Sequence, residues 1–292
     1  MIVILICLWS FSKNMKQLTI KQNRSFEPEE FVMKNGKESD FSTTINENTV
    51  IRDEDTGEII LVYMKLKDTV EELRESVMNI KYGKGRRAGG LKTYDKIFGY
   101  MSRIPHQNDY CSTPSLAREN PKSHKIVCDY GDKLGDLYKE MVPEMYDKHS
   151  KIVAEKIKPD WILGRSPFTS GIINKNNQLN YHYDRGNFKE VFSNMIAFRS
   201  KITGGRLSLP EYDLGLEIDD STVTLFDGQK ILHGVTPIQY LSPESYRITL
   251  VYYSLSQMWK CTTPKEELDR IKRVKTQRNQ DRYDKMRENE TR

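Results

Sequence analysis

The sequence predicts an α+β fold, and three observations carry that reading. After Trp161, apolar residues recur at every second position over several short runs, as strands with one buried face do. Turn signals separate those runs at close spacing (Thr203-Gly204-Gly205, Asp219-Asp220, Asp227-Gly228), which suggests an all-β sandwich or barrel. Helical periodicity falls before that point, so helices are expected to pack outside the strands.

The elements follow in order. Ile2 to Trp9 is the one long apolar run, and its eight residues fall short of the ~20 that a membrane span needs. It lacks the basic flank and small-residue cleavage site of a signal peptide. Met15 opens an ordinary polar start, so translation is expected to begin there; the alternative is a buried strand within residues 1–14. Residues 27–50 are acidic, rich in Asn, Ser and Thr, and read as loop. Thr49 to Arg52 and Glu58 to Met64, joined by a polar turn ending at Gly57, read as a hairpin. Residues 67–80 read as a helix, with Asp68 or Thr69 as cap and Val70, Leu73, Val77 and Ile80 on one face. Residues 81–94 read as a glycine-rich loop carrying Lys81, Lys84, Arg86, Arg87 and Lys92 and no acid, either simply solvated or suited to phosphate contacts. Residues 132–157 read as helical, interrupted at Pro143. The strands follow: Leu207 and Leu209; Leu214, Leu216 and Ile218; Val223 and Leu225; and Ile248, Leu250 and Tyr252 alternating with Arg247, Thr249, Val251 and Tyr253. Residues 262–292, with ten basic and seven acidic residues and few large apolar ones, read as an exposed helix or frayed extension. The expected organisation is an N-terminal extension over 1–93, the main domain over 94–261 and a charged tail over 262–292.

Composition narrows the class. Charged residues at 30% against 37% hydrophobic exclude a polytopic membrane protein, and 29 aromatic side chains exclude a largely disordered chain. A net charge of +5 permits nucleic-acid binding without arguing for it. Four cysteines, none in a CxxC pair, are too few for a disulfide framework, so a reduced, cytoplasmic, non-secreted setting is expected, with no membrane and no evident protein partner.

The residues with chemistry lie in the period-two half. On a strand, residues i and i+2 share a face, so His182 and Asp184 can hold one ion. His233 lies on a later apparent strand and completes a 2-His-1-carboxylate set, which leaves positions open and suits non-haem Fe(II) and oxygen. Arg247 can pair bidentately with a carboxylate cosubstrate, and Thr249 on the same face adds a hydroxyl. HxD alone is a weak signal; HxD, a distant His and then Arg inside a strand-rich region is stronger, against the alternative of unrelated residues on an inert β-sandwich. A rival cluster, His106, Cys111, His124 and Cys128, is spaced loosely like a zinc site or is simply unlinked. His149, at the end of a helical stretch, reads as a surface residue near a helix C-terminus.

The motifs Asn180-Tyr-His-Tyr-Asp-Arg-Gly-Asn187, Gly204-Gly-Arg-Leu-Ser-Leu-Pro-Glu-Tyr212, Leu225-Phe-Asp-Gly228, His233-Gly-Val-Thr-Pro237 and Arg247-Ile-Thr249 resemble the Fe(II)/2-oxoglutarate dioxygenases. Among these they are most similar to the TET and J-binding-protein nucleobase oxygenases and their viral relatives. The resemblance covers residues 174–253 firmly and 94–111 loosely. It implies a double-stranded β-helix (jelly-roll) core with flanking helices. It implies iron on His182, Asp184 and His233, 2-oxoglutarate on Arg247 supported by Thr249, O2 as cosubstrate, and DNA as partner. In the family an Asn three residues after the metal aspartate contacts the flipped base and a Tyr six residues after the arginine stacks on it; Asn187 and Tyr253 stand there. Leu255 stands in the region of the family's base-reading histidine. The implied reaction hydroxylates the methyl group of 5-methylcytosine or thymine in DNA through a ferryl intermediate, releasing succinate and CO2. Lys84, Arg86 and Arg87 are expected at the DNA backbone. A viral source would place the enzyme in the host cytoplasm or nucleus. The alternative with the same chemistry is an amino-acid or protein side-chain hydroxylase.

Overall fold

A computed structural model describes residues 15–23, 25–66, 70–86, 92–104 and 108–290. The expectations for residues 1–14, for a cap at Asp68 or Thr69, and for Arg87 and His106 lie outside these residues.

The strands are β1 (Lys16–Ile20), β2 (Thr43–Ile45), β3 (Thr49–Asp53), β4 (Ile59–Lys65), β5 (Gly83–Arg86), β6 (Lys92–Gly99), β7 (Ser170–Lys175), β8 (Ser193–Ser200), β9 (Ile202–Gly204), β10 (Leu207–Leu209), β11 (Leu214–Leu216), β12 (Thr222–Phe226), β13 (Gly234–Val235), β14 (Ile238–Tyr240) and β15 (Tyr246–Tyr253). The helices are α1 (Glu71–Met78), α2 (Ser115–Glu119), α3 (Pro121–Met141), α4 (Pro143–Lys156) and α5 (Pro264–Glu290). A nine-stranded sheet runs β1-β3-β4-β12-β8-β15-β7-β6-β5, a four-stranded sheet runs β13-β10-β11-β2, and β14 pairs with β9.

The period-two pattern is what builds the layers. In β15, Ile248, Leu250 and Tyr252 join Phe198 and Ile196 of β8 and Ile173 of β7 in a core shared with Leu134, Leu137 and Tyr138 of α3. Arg247, Thr249, Val251 and Tyr253 point the other way and line a cavity. On that inner side a second core forms from Leu61, Tyr63, Met195 and Ala197 of the large sheet and Leu207, Leu209, Leu214 and Leu216 of the small one. The register fixes this: Thr249 lies opposite Ala197 and Asn174, while Leu250 lies opposite Ile196 and Ile173. A slip of one residue would send every inward side chain to the helix face.

The β3–β4 hairpin forms as expected, turning through Gly57 at φ +72°, a conformation glycine adopts without strain. Pro143 starts α4, immediately after α3 ends. Four expectations are corrected. The stretch 27–50 is not all loop: Thr43–Ile45 forms β2, parallel to β11, because tertiary pairing supplies the partner that local sequence lacks. The basic stretch 81–94 contributes paired strands rather than a free loop, since β5 is antiparallel to β6. The boundary at 93/94 therefore falls inside paired structure, and residues before it supply β1, β3, β4 and β5 to the large sheet. His149 is fully buried, not superficial, because it shares the inward face of α4 with Val153. Its Nε2 meets Ser254 Oγ at 2.9 Å, and burial pulls its pKa down to about 3.

The cysteine reading also changes. Cys111 and Cys261, 150 residues apart in sequence, form a disulfide with Cα atoms 5.7 Å apart. The bridge fastens the segment leading into α5, which is a helix as expected but is docked at its start. There the buried Glu267 accepts hydrogen bonds from Arg103, from Cys111 N at 2.8 Å and from Thr262 N at 2.9 Å. Cys111 is thereby removed from the zinc arrangement considered with His106, His124 and Cys128. His124 instead accepts from Gly99 N at 3.1 Å. No helix among the described residues is long and apolar enough to cross a membrane.

Candidate active site

His182, Asp184 and His233 converge between the sheets. One ligand atom from each lies within 4.8 Å of the others, and among the described residues this is the one such cluster of His, Cys, Asp and Glu. The segment 183–185 is irregular rather than a strand, so the i, i+2 argument does not place Asp184. Backbone bonds do. His182 N donates to His233 O at 2.9 Å, His233 N donates back at 3.1 Å, and Asp184 N donates to Gly228 O at 2.8 Å.

The donor set fits a divalent metal. His182 Nδ1 lies 2.8 Å from Asn180 O, and His233 Nδ1 lies 3.0 Å from Ile231 O. A carbonyl only accepts, so each Nδ1 carries the proton and each Nε2 presents its lone pair. Those Nε2 atoms stand 3.7 Å and 3.9 Å from Asp184 Oδ1. Gly228 makes room for this packing: a Cβ there would come within 3.0 Å of Asp184 Cγ and 3.3 Å of His233 Cε1. Glu211, in the Leu-Pro-Glu-Tyr run, supports the second histidine from outside. Burial pushes its pKa up, and its Oε1 accepts from Leu232 N at 2.8 Å.

Arg247 and Thr249 line the same cavity of about 500 Å³ and are each only 3% exposed. Arg247 Nε is buried without a hydrogen-bond partner, and burial, with the nearby Arg199 charge, pulls the guanidinium pKa down to about 10. Burying a cation without an anion is costly. A carboxylate seated in the cavity would supply the missing partner, so the residues fit an acidic cosubstrate as well as a metal.

Asn187 and Tyr253 also line the cavity. Asn187 Nδ2 stands 3.5 Å from Asp184 Oδ2 and 3.3 Å from Ser193 Oγ. Leu255 lies beside them, paired with Asn187 through an isolated bridge. Lys84 is exposed on β5, two strands beyond β7, and is not brought to the cavity; Arg86 lies on the same strand. Residues not singled out from sequence also contribute: Val32 and Met33 from the N-terminal segment, and Asn177, whose side chain binds Tyr94 N at 2.9 Å. An acid inside the apolar run around Glu211 was a readable signal; nothing local marks Val32 or Met33.

A jelly-roll core with an inward 2-His-1-carboxylate cluster and a buried arginine defines a 2-oxoglutarate- and iron-dependent oxygenase class. Residues 101–256 match the Tet_JBP family, described as the oxygenase domain of the 2OGFeDO superfamily, and the chain belongs to that family. It is 22% identical over 200 residues to thymine dioxygenase JBP1 of Trypanosoma brucei brucei, covering 65% of this chain and 22% of that protein. It is 25% identical over 170 residues to the bifunctional helicase and thymine dioxygenase JBP2 of the same organism, covering 56% of this chain and 15% of that protein. The chain thus spans about a fifth of JBP1 and less of JBP2. In structure it is similar to NgTET1, solved in complex with 5mC DNA, with a TM-score of 0.58 and 17% identity over 83% of this chain and 92% of that one. The jelly-roll expectation is borne out, and the chain carries an oxygenase domain of a superfamily that uses 2-oxoglutarate and iron.

Proposed function

We propose that this protein hydroxylates the methyl group of a 5-methylpyrimidine, 5-methylcytosine or thymine, in DNA. The observation that carries the reading is that one cavity collects the His182, Asp184 and His233 ligand set, the buried Arg247, and Asn187 with Tyr253. Relatives named as thymine dioxygenases support it.

His182 Nε2, Asp184 Oδ1 and His233 Nε2 would hold Fe(II), the two histidines kept in the right tautomer by the carbonyls of Asn180 and Ile231. When bound, iron with 2-oxoglutarate and O2 supplies the C–H oxidising chemistry, with succinate and CO2 released. Arg247 takes the far carboxylate of the cosubstrate and Thr249 adds a hydroxyl donor. Asn187 offers an amide to the polar edge of a flipped base, and Tyr253 a ring to its face. Apolar walls including Leu207, Phe226 and Val235 exclude water from the reacting centre. Lys84, Arg86 and Arg87 are assigned to contacts with the duplex backbone.

The test is succinate release with Fe(II), ascorbate and 2-oxoglutarate, without DNA, with unmodified DNA and with 5-methylcytosine DNA, followed by nucleoside mass spectrometry. The expected result is DNA-stimulated succinate with a methylpyrimidine product 16 Da heavier. Succinate that no DNA stimulates refutes the DNA substrate and moves the search to amino-acid or protein side chains. Full turnover by His182→Ala or Asp184→Ala refutes the ligand assignment.

A further inference from the structure

Residues 26–40 lie outside the stretch matched to the family, yet they reach its catalytic cavity. Their backbone is fastened to the residues just before the first iron ligand. Met33 N donates to Tyr181 O at 2.8 Å, Tyr181 N donates to Lys34 O at 2.9 Å, and Asn180 Nδ2 donates to Met33 O at 2.7 Å. Tyr181 Oη binds Asp40 at 2.8 Å, and the Phe31 ring meets the Tyr181 ring edge-on at 5.5 Å. Asn180 O is the same carbonyl that fixes the His182 tautomer. The strap and the metal ligand therefore share one stretch of chain.

Met33 is the unusual residue in this strap. Its φ is +69°, in the left-handed region where a side chain with a Cβ is strained and glycine is not. It lines the cavity and is still 39% exposed, which places it at the mouth. Strain of this kind persists where the surrounding structure holds it, here through the hydrogen bonds of Met33 with Tyr181 and Asn180, and it clusters at ligand sites.

We propose that Met33 is a specificity-determining residue: its thioether forms the wall at the cavity mouth on which the incoming pyrimidine packs, and it limits water entry behind that base. A polarisable, unbranched side chain suits contact with an aromatic ring. This deepens the nucleobase reading and rests on it.

The test compares wild type with Met33→Leu, Met33→Ala and Met33→Gly on a duplex oligonucleotide carrying the methylpyrimidine that wild type oxidises. The readouts are KM for DNA, kcat, the ratio of succinate to oxidised base, and Tm. Met33→Ala raises KM about tenfold, the scale of lost apolar contact in a pocket, and raises the ratio because cosubstrate is consumed without base oxidation. Met33→Leu keeps both near wild type. Met33→Gly melts above Met33→Ala, since glycine alone is unstrained at this φ, yet it is uncoupled to the same degree; a merely structural residue would have function track Tm. Met33→Ala with wild-type KM and coupling overturns the proposal and leaves the nucleobase reading standing. A wild-type protein that turns over 2-oxoglutarate but oxidises no base overturns that reading and the wall with it.

Discussion

Replacing Gly228 by alanine tests the metal centre without touching a ligand. Gly228 is outside the left-handed region, so alanine meets none of the strain that a positive φ imposes. The obstacle is the Asp184 carboxylate, whose Oδ2 sits closer to the added Cβ than real Cβ contacts allow and whose Cγ sits at 3.0 Å. Restoring ordinary contact, at 3.4 Å or more, moves the carboxylate by about 1 Å. Rotating the carboxylate away relieves the clash but withdraws Oδ1 from the two Nε2 atoms that now stand 3.7 Å and 3.9 Å from it. A disturbance of that size at a metal site costs roughly 10- to 100-fold in affinity, or about 1.4 to 2.7 kcal/mol. The assay is titration with Mn(II) or Co(II) as redox-stable stand-ins for Fe(II), read by calorimetry and by the metal-dependent rise in Tm. Gly228→Ala should keep the fold of the metal-free protein and lose most of that rise. A variant that binds metal as tightly as wild type refutes the role given to this close packing, and a metal-free variant that is unfolded refutes the claim that the clash is local.

Two further outcomes follow from buried groups. Arg247→Met removes a buried cation that lacks a partner, so the protein without cosubstrate should melt a few degrees higher while KM for 2-oxoglutarate rises about 100-fold, the scale of a truncated buried charge pair; an unchanged KM refutes the carboxylate assignment. His149 is buried and neutral with its pKa lowered to about 3, so the unfolded chain binds a proton that the native chain refuses as pH falls below about 6.5. Its contribution is fully present above that pH and is lost on acidification by up to roughly 1.4 kcal/mol per pH unit. Denaturant unfolding of His149→Gln between pH 7 and 5 should show a flatter stability profile than wild type, and parallel profiles would refute the assignment.

Much of the site was legible because its signals are local or ordered along the chain. His182 and Asp184 are two residues apart, Arg247 and Thr249 sit on an alternating strand, and the order HxD, His, Arg survives any folding detail. The structure does bring His182 and Asp184 together, but not by a shared strand face as expected, since the segment is irregular and the reciprocal bonds with His233 hold it. The helix interruption at Pro143 and the turn at Gly57 were readable because each depends on the conformational limits of one residue.

The sequence by itself determined the layers and the chemistry. Period-two alternation decides which residues of β15 face the helices and which face the cavity, and residue type decides what those inward groups can bind. Only the tertiary structure decided what depends on distance in space. It joined Cys111 to Cys261 across 150 residues, turned His149 inward among aromatic rings, and set Gly228 against Asp184. It also brought β2 to β11 and Met33 to the mouth of a cavity built mostly by residues 172–255. Such contacts leave no periodic trace, because each is made once, between segments whose spacing along the chain is unrelated to their separation in the fold.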